Sequence, residues 1–300
     1  DSLRSLVTLT DSDFSVSHTA LRLNLVQPAV SQHLKQLEQE LGARLFRRNG
    51  KRLVGLTPIG EQVVGYARST LAGAANILAI GHDRQADDRG ALRIGTTHTE
   101  ARYVLPPAVR RFRQAYPGVE VQIHHGTPQQ LAEMTLRDAV DIAISTEAAG
   151  NHPALASVPC YRWNRCLIAP PGHPVLDTRP ITLELLCEQP MITSVFGFTG
   201  RGHLSDTFAK EGLHPRVVLS TADTDLIKTY VREGLGIGII ADPAYDPGQD
   251  ADLGRRDLSH LFPWEVTRIA HLRDKYLRRF QQGFIDLLQA EAGTPRRERS

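Results

Sequence analysis

At 300 residues the chain has room for roughly two domains, each able to bury a core of its own. Apolar residues at 41% and charged residues at 23% exclude a wholly disordered chain, and no run approaches the ~18 apolar residues of a membrane span. A net charge of +2 selects no partner by itself, while three cysteines without metal spacing, Cys160, Cys166 and Cys187, point to a reducing compartment.

The charge is unevenly spread. Between Phe14 and Gly60 stand Arg22, Lys35, Arg44, Arg47, Arg48, Lys51 and Arg52 against only Glu38 and Glu40. Leu3, Leu6, Val7 and Leu9 predict a short amphipathic helix, and Ser15 or Ser17 caps a second that carries Ala20, Leu21 and Leu23. Asn24-Leu25-Val26 makes a tight turn before Gln27-Pro28, where proline suits the first turn of a third helix because its missing N–H would be unpaired there anyway. Two short helices so closely joined form a helix-turn-helix. The helix from Pro28 to Leu41 buries Ala29, Val30, Leu34, Leu37 and Leu41. It offers Gln27, Pro28, Ser31, Gln32, His33 and Lys35 at its front end, where a recognition helix meets base edges and phosphates. Two short strands then turn at Asn49-Gly50, and Arg47, Arg48, Lys51 and Arg52 make this hairpin a basic wing. A polar helix face alone would be read as solvated; the turn, the proline and the basic hairpin together predict DNA binding.

Thr57-Pro58 opens a long helix expected to reach about Ile80. Val64, Ala67, Leu71, Ala74 and Leu78 recur at spacings of three and four, the seam of a two-helix packing, and are predicted to dimerise. The polar residues 81–90 read as a hinge. Domain boundaries follow: a DNA-binding domain over 1–57, a linker helix over 58–80, the hinge, a ligand-binding domain over 91–293 whose second half spans roughly 164–265, and a tail over 294–300.

From Ala91 onward short apolar strands alternate with amphipathic helices. Strands are expected at Leu92 to Thr96, Val119 to His124, Ile142 to Ser145, Cys166 to Ala169, Met191 to Ser194, Val217 to Ser220 and Ile237 to Ala241. In such folds ligands bind beyond the carboxyl ends of strands. There stands Thr96-Thr97-His98-Thr99-Glu100-Ala101-Arg102-Tyr103, ahead of a helix read from Tyr103 to Tyr116. Hydroxyls crowding a strand-to-helix junction make a cradle for a small anion, or merely cap the helix.

Several runs carry a family resemblance. "FSVSHTALRLNLVQPAVSQHLKQLEQELGARLFRRNGKRLVGLTPIGE" resembles the winged helix-turn-helix of LysR-type transcriptional regulators over its whole length. "TTHTEARYVLP", "GTPQQLAE", "VPCYRWNR", "FGFTGR", "TADTDLIKTYVREGLGIGIIA" and "DPGQDADL" resemble the CysB group of that family, activators of sulfur-assimilation and cysteine-synthesis genes. The resemblance implies an N-terminal all-α winged helix-turn-helix with a long linker helix, and a C-terminal α/β effector domain of two periplasmic-binding-protein-like subdomains. It implies dimers or tetramers on double-stranded promoter DNA, with RNA polymerase as a further partner. Carried over position by position, it implies that Thr97, Thr99, Glu100, Thr146, Trp163 and Thr199 face an effector such as O-acetylserine, N-acetylserine or sulfate, with no cofactor, metal or catalytic residue. Two departures stand out. Val26 replaces the family's usual serine or threonine and cannot cap. Glu100 replaces the group's usual glutamine, so it either selects an effector carrying an amine or turns away to bond Arg102 or water.

Other readings compete. A redox-responsive or another amino-acid-responsive regulator is open if Cys160 and Cys166 pair, against the simpler reading of buried thiols. His124 and His125 point to opposite faces of a strand, which disfavours a metal pair. A solute-binding module fits the α/β half alone. An enzyme would need a Gly-rich nucleotide loop, a nucleophile elbow or a metal cluster, none of which is visible. With no basic, apolar leader and with Asp1 at the front, the chain is expected to be cytoplasmic and to have lost a few leading residues.

Overall fold

The computed structural model describes residues 1–50, 52–84, 88–146, 152–194 and 201–293. It divides into two units, Asp1–Gln85 with Asp274–Tyr276, and Ala86–Arg273 with Leu277–Ser300. Lys51, Thr199 and the middle of the expected hinge lie outside the described residues.

The first unit opens with α1 (Ser2–Thr10), α2 (Val16–Leu23) and α3 (Gln27–Leu41). The Ser15 hydroxyl accepts from the His18 amide at 3.3 Å and caps α2, and Asn24 ends it in the left-handed region at φ 53°. Val26 precedes α3 without a side-chain cap, Pro28 occupies its first turn, and Gly42 at φ 63° ends it. Leu6, Leu9, Ala20, Val30, Leu34 and Leu37 close the core between these helices. The wing is an antiparallel pair, β1 (Phe46–Asn49) and β2 (Arg52–Leu56), which adds Leu45, Phe46 and Leu53 to that core.

The long helix α4 spans Pro58–Arg84. Its first turn lies so close to the wing that a Cβ on Gly60 would sit 2.1 Å from the Leu45 carbonyl oxygen. Two expectations need correction here. Residues 81–84 continue the helix instead of starting a hinge: nothing in Gly81-His82-Asp83-Arg84 breaks it, and the Tyr276 hydroxyl bonds Asp83 at 3.1 Å. Val64 and Ala67, assigned to a dimer seam, are 7% and 2% exposed and belong to the core beneath α1. Ile59, Tyr66, Ile77, Leu78 and Ile80 are the large exposed apolar residues described on this helix, and Ala74 of the expected seam is exposed as well. Over Pro58–Asp83 the helix is also long and apolar enough to cross a membrane, with mean hydropathy 1.2 in its best window, a length that scattered Gly, Ser and Thr hide from a search for unbroken apolar runs.

The second unit holds two five-stranded sheets. In chain order its elements are β3 (Gly90–Thr96), α5 (His98–Tyr103), α6 (Leu105–Ala115), β4 (Val119–His125), α7 (Pro128–Leu136), β5 (Ile142–Ser145), β6 (Leu155–Trp163) and β7 (Arg165–Ala169). They continue as α8 (Leu183–Cys187), β8 (Met191–Ser194), α9 (Arg201–Lys210), β9 (Val217–Thr221), α10 (Thr224–Arg232), β10 (Ile237–Ala241), β11 (Gly254–Asp257), β12 (Glu265–Leu272) and α11 (Arg279–Gly293).

One sheet runs β4-β3-β5-β12-β6 and the other β11-β7-β10-β8-β9. In the first, β3 pairs in parallel with β4 and β5, and β12 closes it antiparallel to β5 and β6. In the second, β8 runs parallel to β9 and β10 while β7 is antiparallel to β10 and β11. The chain passes between the sheets at Asn164, between β6 and β7, and returns between β11 and β12. Phe112 of α6 meets Phe284 of α11 edge-on, ring centres 5.4 Å apart, over Leu92, Ile94 and Ile142. Leu167, Ile181, Met191, Phe208 and Phe262 fill the other half.

The helix expected from Tyr103 to Tyr116 is two helices. Thr97 is the N-cap of α5, so most of the threonine-rich run is itself helical, and α6 starts afresh where Pro106 and Pro107 exclude continuous α-bonding. Strands β6, β11 and β12 and helix α11 were not expected at all.

Candidate functional site

The carboxyl ends of β8 and β10, the α5 helix, the start of α10 and the residues flanking Asn164 at the crossing face a common cleft. Its walls carry Thr99 of α5, Trp163 and Arg165 flanking the crossing, Thr193 and Ser194 at the end of β8, Thr224 at the start of α10, and Leu204, Ile239, Ile240 and Ala241. The space they surround opens to solvent, and its enclosed part is small, about 20 Å³. Four hydroxyls and one guanidinium converge in it. A hydroxyl donates one hydrogen bond, so such a set satisfies the oxygens of a small anion.

Arg165 is 4% exposed and its Nη2 donates to Glu265 Oε1 at 2.8 Å. The guanidinium carbon lies 5.4 Å from the Trp163 ring centre and 5.6 Å from that of Phe262. Arg165 and Glu265 are neutral as a pair, so net charge is not what would draw an anion in; directed N–H and O–H donors are. Asn164 fixes the crossing, its Nδ2 donating to the Phe262 carbonyl at 2.9 Å while its Oδ1 accepts from the Arg165 amide at 2.7 Å.

The expected site residues divide. Thr99 and Trp163 line the cleft. Thr146 stands behind the indole: its hydroxyl accepts from Trp163 Nε1 at 3.1 Å and meets the Thr267 hydroxyl at 3.1 Å, so it orients Trp163. Thr97 and Glu100 do not line it. The Thr97 hydroxyl donates to the Glu100 carboxylate, and both side chains are buried, Glu100 to 1%. Glu100 therefore turns away, but toward Thr97 and not toward Arg102, which pairs with Asp225 at 2.7 Å. Burial pushes the Glu100 carboxyl up to about 7. Thr193, Ser194, Thr224 and Arg165 were not singled out from sequence, although the first two end an expected strand and the others stand in the "TADTD" and "YRWNR" runs. Cys160 and Cys166 are free thiols. Burial raises both, Cys160 to about 12, which opposes the thiolate that redox sensing needs.

In the first unit Gln27, Pro28, Ser31, Gln32 and Lys35 are exposed along the front of α3, and Arg47, Arg48 and Arg52 are exposed on the wing. His33 departs from expectation: it is half-buried and its Nδ1 bonds the Ser5 hydroxyl at 2.8 Å, which ties α3 to α1. Arg48 also reaches Glu38 at 3.7 Å, while Glu38 accepts from the Leu45 amide at 2.7 Å and so sets the start of the wing.

Residues 1–61 match the bacterial regulatory helix-turn-helix proteins of the lysR family, and residues 85–293 match the LysR substrate binding domain. The chain belongs to the LysR family of transcriptional regulators. Within it the chain falls in the CysB-like group: it is 40% identical over 276 residues to the regulator CysB of Burkholderia cenocepacia, covering 92% of this chain and 88% of that one. It is 37% identical over 278 residues to the regulator Cbl of Escherichia coli, covering 93% and 88%. The solved cofactor-binding domain of the Cbl transcriptional regulator superposes with a TM-score of 0.65 at 38% identity, over 70% of this chain and 91% of that one. Full-length OxyR from Pseudomonas aeruginosa, 22% identical at a TM-score of 0.73 over 96% of each chain, shares the fold.

Proposed function

We propose that this protein is a one-component regulator of sulfur-assimilation and cysteine-synthesis genes. It reads promoter DNA with α3 and the basic wing and senses a small anionic metabolite in the cleft. The observation that carries the effector reading is the convergence of Thr99, Thr193, Ser194 and Thr224 with Arg165 around one cleft. Glu100 faces Thr97 and not this space, so it supplies no carboxylate for an amine; the donors suit sulfate, or the carboxylate of O-acetylserine or N-acetylserine. Promoter binding involves two or more copies joined along α4, in the cytoplasm. Effector binding acts by favouring one DNA-bound arrangement over another.

Titration calorimetry of the full chain with sulfate, O-acetylserine and N-acetylserine tests the cleft. Removing one hydroxyl donor to a charged group, as in Thr99→Val, weakens the bound ligand by about tenfold or more. No binding of any of the three, or binding indifferent to Thr99→Val and Thr193→Val, sinks the reading. The cysteine-linked redox alternative loses ground to the raised thiols of half-buried Cys160 and buried Cys166.

A further inference from the structure

The cleft hydroxyls Thr99 and Thr224 touch across the two halves of the second unit, their oxygens 3.3 Å apart. One helical turn further on, Tyr103 of α5 meets Lys228 of α10: Lys228 Nζ donates to the Tyr103 hydroxyl at 3.0 Å and lies 4.5 Å from its ring centre. Residues four apart share a helix face, so the two contacts are successive rungs between the same pair of helices. The first rung borders the cleft. The second is buried on the α10 side, with Lys228 at 2% exposure, while Tyr103 is half-buried.

We infer that Tyr103 and Lys228 are positioning residues of the cleft, a latch that holds α5 against α10 and thereby fixes the Thr99-to-Thr224 spacing across which the effector is gripped. The second rung is held from both sides. The Tyr103 hydroxyl accepts from Lys228 and donates to Asp225, while Lys228 Nζ donates to Asp250 at 2.6 Å. Asp250 is itself fixed by Arg232 Nη2 at 3.0 Å and by the Asp246 amide at 2.9 Å. Burial and the Asp225 carboxylate push the Tyr103 phenol well above its usual range, so it keeps the proton it donates. A buried ammonium is costly unless its partners are fixed in place, so this rung tolerates one arrangement of the helices and resists others. Arg102 and Asp225 add an outer ion pair at 2.7 Å, but Arg102 is 57% exposed and screened by water.

The ligand arm of the test rests on the effector reading above; the exchange arm does not. Tyr103→Phe keeps the ring beside Lys228 and the Lys228–Asp250 pair and removes the hydroxyl's bonds to Lys228 and Asp225. In hydrogen exchange on the full chain, amides of α5 and of the first turns of α10 should exchange about tenfold faster in this variant, with β3 and β10 unchanged. Sulfate and O-acetylserine should bind about fivefold to tenfold more weakly, mainly through faster release. Lys228→Met should act in the same direction; if it fails to fold, Tyr103→Phe decides alone. Exchange in α5 that matches the wild type, or that rises evenly across the unit, overturns the latch. If wild type binds neither probe, the effector reading fails while the exchange result still decides the latch.

Discussion

Glu100 shows how one residue's role is set by its surroundings. Its carboxyl is raised from 4.5 to about 7 by burial, so the folded protein holds that proton more tightly than the unfolded chain. Burial of the charged form therefore costs nothing below about pH 4.5, grows as pH rises toward 7 and is complete above it. Replacing Glu100 with glutamine should stabilise the protein at pH 8 by up to about 3 kcal/mol, a gain that vanishes near pH 4.5; denaturant melts of both proteins at the two pH values check this. Arg165 and Glu265 present the opposite case, two buried charges that neutralise each other at 2.8 Å. Glu265→Ala leaves a buried guanidinium without its carboxylate and should cost about 3–5 kcal/mol in urea unfolding, whereas Glu265→Gln, which keeps an acceptor, should cost less. Neither fate is written in the residue. A glutamate one position from a cleft threonine and a glutamate beside an exposed tryptophan read alike until their neighbours are known.

At the scale of elements, α3 and the wing are the parts whose sequence spoke most directly. Proline in the first turn, the left-handed Asn24 and the left-handed Gly50 that follows Asn49 at the end of β1 are local devices, each favoured by the covalent geometry of its own residues. Val26 precedes α3 in the extended conformation of an N-cap, at φ −89° and ψ 149°, but has no oxygen to offer. Val26→Ser should raise the melting stability by about 1 kcal/mol. Exposed Arg47 and Arg48 should act through phosphates: replacing either with alanine should weaken specific and random duplexes alike and lower the salt slope of binding by about 1, while Gln32→Ala should weaken the specific site selectively. Fluorescence anisotropy across a salt series separates the two. Strand β12 and helix α11 escaped prediction for a different reason. β12 is antiparallel between β5 and β6, and its eight residues, Glu265–Leu272, mix charged and apolar side chains that only those two neighbours sort into faces. The Phe280, Phe284 and Leu288 stripe of α11 does carry helical spacing, and its reading waited on knowing that α6 lay beneath it.

For the whole molecule, the burial of Val64 and Ala67 removes these two from the expected partner face of α4, while Ala74 and Leu78 of that set are exposed. Tyr66, Ile77 and Ile80 are exposed and fall at positions compatible with a two-helix seam through Gly73. A charge placed there, Ile77→Asp, should shift the protein toward monomer in sedimentation equilibrium and weaken binding to a two-fold operator, while the matching change at Ala67 should unfold the first unit instead. The sequence by itself determined the two-unit plan, the helix-turn-helix with its wing, the alternation of strands and helices, and membership of the family, because caps, turns, periodicity and long ordered motifs are properties of neighbouring residues. Only the tertiary structure decided which hydroxyls meet. Thr99, Thr193 and Thr224 lie on separate elements tens of residues apart, and the side of each helix that a partner covers depends on packing that no local spacing encodes.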